Sequence, residues 1–140
     1  MKYEQDDQRK HLEFIQLAIN RMANNSFILK GWTITLIAGL FALTINKKTS
    51  IFLILALFPA LAFWGLDAYY LRQEKLFREL YNHVRTTKRE KIDPYSLNTK
   101  LVNSKVNNWF KTLFSSTIIA LHGTMVFFIA IILIIVCLRR

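Results

Sequence analysis

The sequence predicts an all-α integral membrane protein with three transmembrane helices, the first two forming a long antiparallel hairpin that extends into the cytoplasm. Three observations carry that expectation. Three stretches contain no Asp, Glu, Lys or Arg: Gly31 to Asn46, Thr49 to Leu66 and Thr112 to Leu138. About 20 apolar residues cover a bilayer core roughly 30 Å thick. The chain is 53% hydrophobic with a mean hydropathy of +0.25, yet it carries a net charge of +10. Charge and apolar residues are therefore segregated along it, unlike a soluble basic domain. Finally, the segment Asn46-Lys47-Lys48-Thr49-Ser50 between the first two apolar runs is too short to join anything but antiparallel neighbours.

The elements follow in order. Residues 1–30 read as a cytoplasmic helical arm, because Leu12, Ile15, Ile19 and Met22 recur at the spacing of one helix face and no Pro or Gly interrupts Lys2 to Lys30. Met1 to Lys10 is mixed-charge and leads into no apolar core with a small-residue cleavage site, which argues against a cleaved signal peptide. The first span is 31–46, lengthened by Phe27, Ile28 and Leu29, with Lys30 able to reach headgroups. The second is 49–71, with Trp64, Tyr69 and Tyr70 as an interfacial belt. Residues 72–86 continue it as a cytoplasmic extension: Tyr70, Phe77, Leu80, Tyr81 and Val84 share one face, and Glu74 with Arg78 forms an i, i+4 pair. Residues 87–111 are a basic connector. Thr86 to Lys91 reads as a solvated loop, Asp93-Pro94 as a helix start, and Tyr95 to Lys111 as a short helix on the membrane face. Residues 112–138 form the third span, apolar nearly all round.

Orientation rests on the cations. Fifteen Lys and Arg fall in the amino-terminal arm and the 72–111 region, against four at Lys47, Lys48, Arg139 and Arg140. The positive-inside bias places the amino end and the connector in the cytoplasm of a cell with an inner membrane. Lys100, Lys105 and Lys111 are then close to anionic lipid of the cytoplasmic leaflet, with Trp109 at the interface. If the hairpin turns between Lys48 and Thr49, residues at equal depth have numbers summing to about 97. Lys30 then meets Asp67, an acid and a base each embedded in apolar sequence and each costly alone, and this pairing is expected as a structural ion pair. The same register brings Ile15, Ile19 and Met22 toward Tyr70, Phe77, Leu80 and Tyr81, a set expected to pack arm against arm or subunit against subunit.

Catalytic chemistry has little to stand on. Cys137 is the only cysteine, which excludes an internal disulfide, and His11, His83 and His122 have no partner at metal-ligand spacing. Neither a phosphate-binding glycine loop nor a nucleophile elbow occurs, so no metal, cofactor or enzyme activity is expected. Arg78 and His83 match the short R-x4-6-H pattern and so resemble the motif of HEPN ribonucleases, in which facing subunits act on a ribose hydroxyl; surface or subunit contact is the simpler use of the pair. Basic residues suggest nucleic acid less than lipid, since the aromatic residues lie on apolar faces and not among the cations. In the third span, Ser115, His122 and Thr124 are polar positions that a pore lining or proton-sensitive gate would use. Small and hydroxylic residues also serve simple helix packing there.

The segment Phe63-Trp64-Gly65-Leu66-Asp67-Ala68-Tyr69-Tyr70-Leu71, continued by Glu74-Lys75-Leu76-Phe77-Arg78 and Leu80-Tyr81, resembles the RipA-type octameric membrane proteins of bacteria. Lys30-Gly31-Trp32 before it and Asp93-Pro94-Tyr95-Ser96 after it fit the same layout. The resemblance implies an inner-membrane homo-oligomer without established enzyme chemistry, similar to small accessory or effector components of bacterial stress and anti-phage operons. Three spans are too few to enclose a channel alone, so the expected function is a homo-oligomeric, pore-forming or membrane-perturbing assembly. The alternative is an anchor that recruits a cytosolic, operon-encoded partner enzyme, and a membrane-tethered ribonuclease ranks third.

Overall fold

The computed structural model describes residues 2–47, 51–87 and 93–138, and among these every element is helical. Helix α1 runs Lys2–Lys47 and α2 runs Ile51–Thr86. At 1.5 Å per residue they are about 69 Å and about 54 Å long, roughly twice the thickness of a bilayer core. Pro59 lies inside α2 without ending it. Three helical segments are long and apolar enough to cross a membrane: Asp6–Thr44 within α1, α2 itself, and Ser116–Val136. Lys48 to Ser50 of the predicted turn, most of the predicted 86–91 loop, and Arg139-Arg140 lie outside the described residues.

α1 and α2 pack antiparallel around two apolar cores with a polar layer between them. The arm core holds Ile15, Ile19, Leu76, Leu80, Val84 and Val102, with Leu12, Phe77 and Tyr81 packed around it. At the opposite end Ile37, Ala56, Ala60 and Ile129 form the second core. The small alanines of α2 let the third span approach closely, the usual basis of helix association in lipid. Ile15, Ile19, Met22 and Leu80 are buried within one chain, and Phe77 and Tyr81 are partly covered. Of the predicted packing set, Ile15, Ile19, Phe77, Leu80 and Tyr81 thus meet arm against arm, while Tyr70 is half-buried outside both cores. It is Phe14, on the other flank of Ile15, that remains exposed.

The connector differs from the single interfacial helix the sequence suggested. Asp93 to Ser96 is a turn closed by Ser96 N–H to the Asp93 carbonyl at 3.2 Å, with Pro94 second and Tyr95 third at φ 60. That is the backbone of a type II turn, where a positive φ is demanded at the third position. A 3-10 helix, Thr99–Lys105, follows, and then α3, Trp109–Leu113. Val102 is fully buried in the arm core, so tertiary burial of one residue sets the path of this segment. Asn98 and Asn108 cap the two helices, each accepting a backbone N–H two or three residues on. Arg72 holds the segment from α2, donating to the Asn107 carbonyl at 3.1 Å and to Asn103 Oδ1 at 2.6 Å.

The third span begins later than Thr112. The chain breaks at Phe114-Ser115, and the span then runs through α4 (Ser116–Ile118), a π-helical turn (Ile119–Gly123) and α5 (Thr124–Leu138). Two indoles fasten this break to α2. Trp64 Nε1 donates to the Leu113 carbonyl at 2.9 Å, and Trp109 Nε1 donates to the Gly65 carbonyl at 3.1 Å.

Candidate functional site, a buried polar cluster centred on Asp67

The polar layer between the two cores is built by one residue from each of α1, α2 and the third span, joined by a serine. Asp67 is fully buried and its carboxylate is the hub. Lys30 Nζ lies 2.7 Å from Oδ2 and 2.8 Å from Oδ1. Ser26, one helical turn before Lys30, donates its hydroxyl to Asp67 Oδ1 and accepts from Lys30 Nζ at 2.6 Å. His122 Nε2 donates to Asp67 Oδ2 at 2.9 Å. An isolated carboxylate in such surroundings is strongly disfavoured, and this one is tolerated because a cation and two further donors satisfy its oxygens.

Sequence reasoning named Lys30, Asp67 and His122, but only the first two as partners. Ser26 was missed, being a small polar residue in a mixed arm that gives no hydrophobic signal of its own. His122 lies four residues after Ile118 and seven before Ile129, both fully buried, so it occupies a seam position of the third helix.

The three residues singled out as a pore or gate do not line one surface. His122 is buried against Asp67, whereas Thr124 is exposed and its hydroxyl bonds the Ala120 carbonyl at 2.8 Å. Ser115 precedes α4 as its N-cap residue, makes no capping bond, and its Oγ is buried without a partner. Two residues along a helix differ by about 200° in direction, which is why His122 and Thr124 face apart.

Within one chain Arg78 and His83 lie on the same helix and make separate contacts. The Arg78 guanidinium is held by Glu74, with Nε and Nη2 each 2.8 Å from Oε1. His83 lies on the same helix, with Nδ1 3.4 Å from Thr87 Oγ1. His11, unpartnered in the sequence reading, is buried and donates from Nε2 to the Ser96 carbonyl at 2.9 Å, tying the connector turn to α1. Tyr95 adds a hydroxyl bond to Asp7 at 3.0 Å and ring contacts with His11 and Phe14.

The Ser26 hydroxyl donates to the Asp67 carboxylate and is not touched by His122. Both Asp67 oxygens are occupied by donors of this chain, and no group of three or more His, Cys, Asp or Glu that could hold a metal occurs among the described residues. What the arrangement does is fasten three helices at one level. Comparison with protein families, with curated proteins and with solved structures yields no match for this chain.

Proposed function

We propose that the chain is a non-enzymatic, multi-pass bacterial inner-membrane protein that assembles with copies of itself through its cytoplasmic arm and connector, arranging its membrane helices into a pore-forming or membrane-perturbing assembly. The observation that carries this reading is an apolar face on the charged, extramembrane half of the molecule. α1 carries Arg9, Lys10, Glu13 and Arg21 there, and α2 carries Arg72, Glu74, Lys75, Arg78, Glu79 and Arg85, a density of charge that hydrocarbon does not accept. Yet Leu17 is 63% exposed and Leu97 46%, with Phe14 also open. Phe14, Leu17, Ala18, Arg21, Tyr95 and Leu97 line an open groove of about 410 Å³. Exposed apolar residues on the spans are what lipid covers, but this face has no lipid to cover it and reads as a contact surface.

The fifteen-to-four distribution of cations favours a cytoplasmic arm. Lys100, Lys105 and Lys111, exposed beside Leu101 and Phe110, favour contact with anionic headgroups at the connector. A setting in stress or anti-phage defence rests on the resemblance around Phe63 to Leu71 alone. Cysteine substitution tests the assembly: in a Cys137→Ser background, Leu17→Cys and Leu97→Cys should each give disulfide-linked dimers in native membranes, while Thr35→Cys, on a lipid-exposed face, should not. Absence of cross-links from both arm positions would remove the reading. The same face would also serve a recruited cytosolic enzyme, and ion flux from the purified protein in liposomes separates the two, since an anchor conducts nothing.

A further inference from the structure

The connector runs along α2 and is clamped to it by Arg72, whose guanidinium reaches the Asn107 carbonyl and Asn103 Oδ1. On the arm side of this clamp the two segments stand apart and leave an open cleft of about 230 Å³. Its walls are Lys75, Arg78 and Glu79 of α2 and Lys105, Val106 and Asn107 of the connector. Val106 packs against the arm core in which Val102 is buried. Apolar packing therefore holds the connector wall in place, and the cations that line the cleft do not have to.

The charges at this opening are not matched within the chain. No ion pair among the described residues includes Lys75, Lys105 or Glu79. Arg78 is engaged by Glu74 through Nε and Nη2, which leaves Nη1 without an acceptor among the described residues. With that pair set aside, two lysines from separate elements share the cleft with the single carboxylate of Glu79, and the balance is positive. Like charges gathered in one opening repel unless an anion joins them. The donors also say which anion. Two ammonium groups, one guanidinium edge and the exposed Asn107 amide offer more N–H groups than the two oxygens of a carboxylate can take, whereas a phosphate presents at least three acceptor oxygens.

The height of the cleft fits that anion. Arg72 is the first basic residue of α2, directly after the apolar run that ends at Leu71. Lys75 and Arg78 lie about 5 Å and about 9 Å further along the helix at 1.5 Å per residue. Headgroups extend about 5–7 Å beyond the hydrocarbon on each side of a bilayer, and a lysine stem spans the remaining gap. The cleft is thus within reach of lipid phosphates, and it is open to solvent as well.

We propose that the cleft between α2 and the connector binds a phosphate-bearing anion, supplied either by the headgroup of an anionic phospholipid or by free phosphate. Only the lipid source rests on the membrane reading above, and neither source requires the chain to assemble. Titration calorimetry of the full chain in phosphatidylcholine discs tests it, with empty discs subtracted and two probes used separately, inorganic phosphate and short-chain phosphatidylglycerol. Heats are read per chain, so a protein that does not assemble reports on the site equally well. Saturable binding of at least one probe is expected, and the tighter of the two identifies the source. Lys75→Gln/Lys105→Gln should weaken that binding by about tenfold or more. Lys100→Gln/Lys111→Gln removes the same charge from outside the cleft and should weaken it by less than about threefold, because exposed charges at a distance are screened. Glu79→Gln, which removes the one unpaired carboxylate of the wall, should tighten it by about threefold. None of these side chains belongs to either apolar core, so the variants keep the fold. Absence of saturable binding of both probes overturns the proposal. So does an equal loss in the two lysine pairs, which means diffuse attraction to a basic surface, and so does binding that Glu79→Gln leaves unchanged or weakens.

Discussion

Replacing Asp67 by Ala strips the polar layer of its only acceptor hub. Lys30, His122 Nε2 and the Ser26 hydroxyl all lose their partner at once. Removing one member of a buried ion pair costs about 3–5 kcal/mol, and a stranded neutral donor about 1–3 kcal/mol. These terms do not add, since all three donors share one carboxylate. Lys30 retains 24% exposure and can swing toward water, which discounts its share. A loss of about 3–4 kcal/mol follows, a shift of roughly 140- to 700-fold in the folding constant at about 1.4 kcal/mol per decade. Lys30→Met should cost less, about 1–2 kcal/mol, because Ser26 and His122 Nε2 still donate to the carboxylate. The double variant Lys30→Met/Asp67→Leu should lie well above the sum of its parts in stability, with a coupling of at least about 1 kcal/mol, as found when a whole buried pair is exchanged for apolar residues. Equilibrium unfolding in lipid discs, followed by the fluorescence of Trp64 and Trp109 beside the cluster, measures all three. Asp67→Ala within about 0.5 kcal/mol of wild type, or a double variant that is merely additive, would refute the reasoning.

Other outcomes follow from single contacts. Trp64→Phe and Trp109→Phe each remove one indole bond to a carbonyl at the Phe114-Ser115 break, and each should cost about 1 kcal/mol in the same unfolding assay while raising protease cleavage near residues 105–115. Leu80→Ala, a truncation in the arm core, should cost about 2–5 kcal/mol and release the connector to trypsin. Tyr95→Phe should lose only the Asp7 bond, about 1 kcal/mol or less, whereas Tyr95→Ala forfeits the ring contacts and keeps the positive φ, so its connector should be cut much faster. Gly39→Ala meets open space and gains helix propensity, about 0.5–1 kcal/mol, while Gly123→Ala brings a Cβ to 3.0 Å from Ile119 Cγ2 and should lower the melting temperature.

The meeting of Lys30 and Asp67 was readable because a short turn fixes hairpin register and charges in apolar runs are few. The arm faces were readable for a similar reason, since three-to-four periodicity survives in mixed sequence. What escaped the sequence depends on surfaces that no local pattern encodes. Whether His122 turns to a pore or to Asp67 is decided by which side of the third helix meets α2, and that follows from the Phe114-Ser115 break and the π turn. The connector was expected as one helix from composition, but burial of Val102 and the capture of Ser96 by His11 impose a turn and a 3-10 segment instead. Ser26 continues the buried stripe of Ile15, Ile19 and Met22 at three-to-four spacing, but a serine there gives no hydrophobic signal.

Assembly through the exposed arm face is the claim on which the functional account turns, and the mass of the intact protein in lipid nanodiscs tests it most directly. Native mass spectrometry of the wild type should give a single closed oligomer, and Leu17→Glu/Leu97→Glu, which places charge on that face without touching either core, should give single chains of 16.5 kDa. A wild type that is itself a single chain in lipid, or a charged variant that assembles as before, would contradict it.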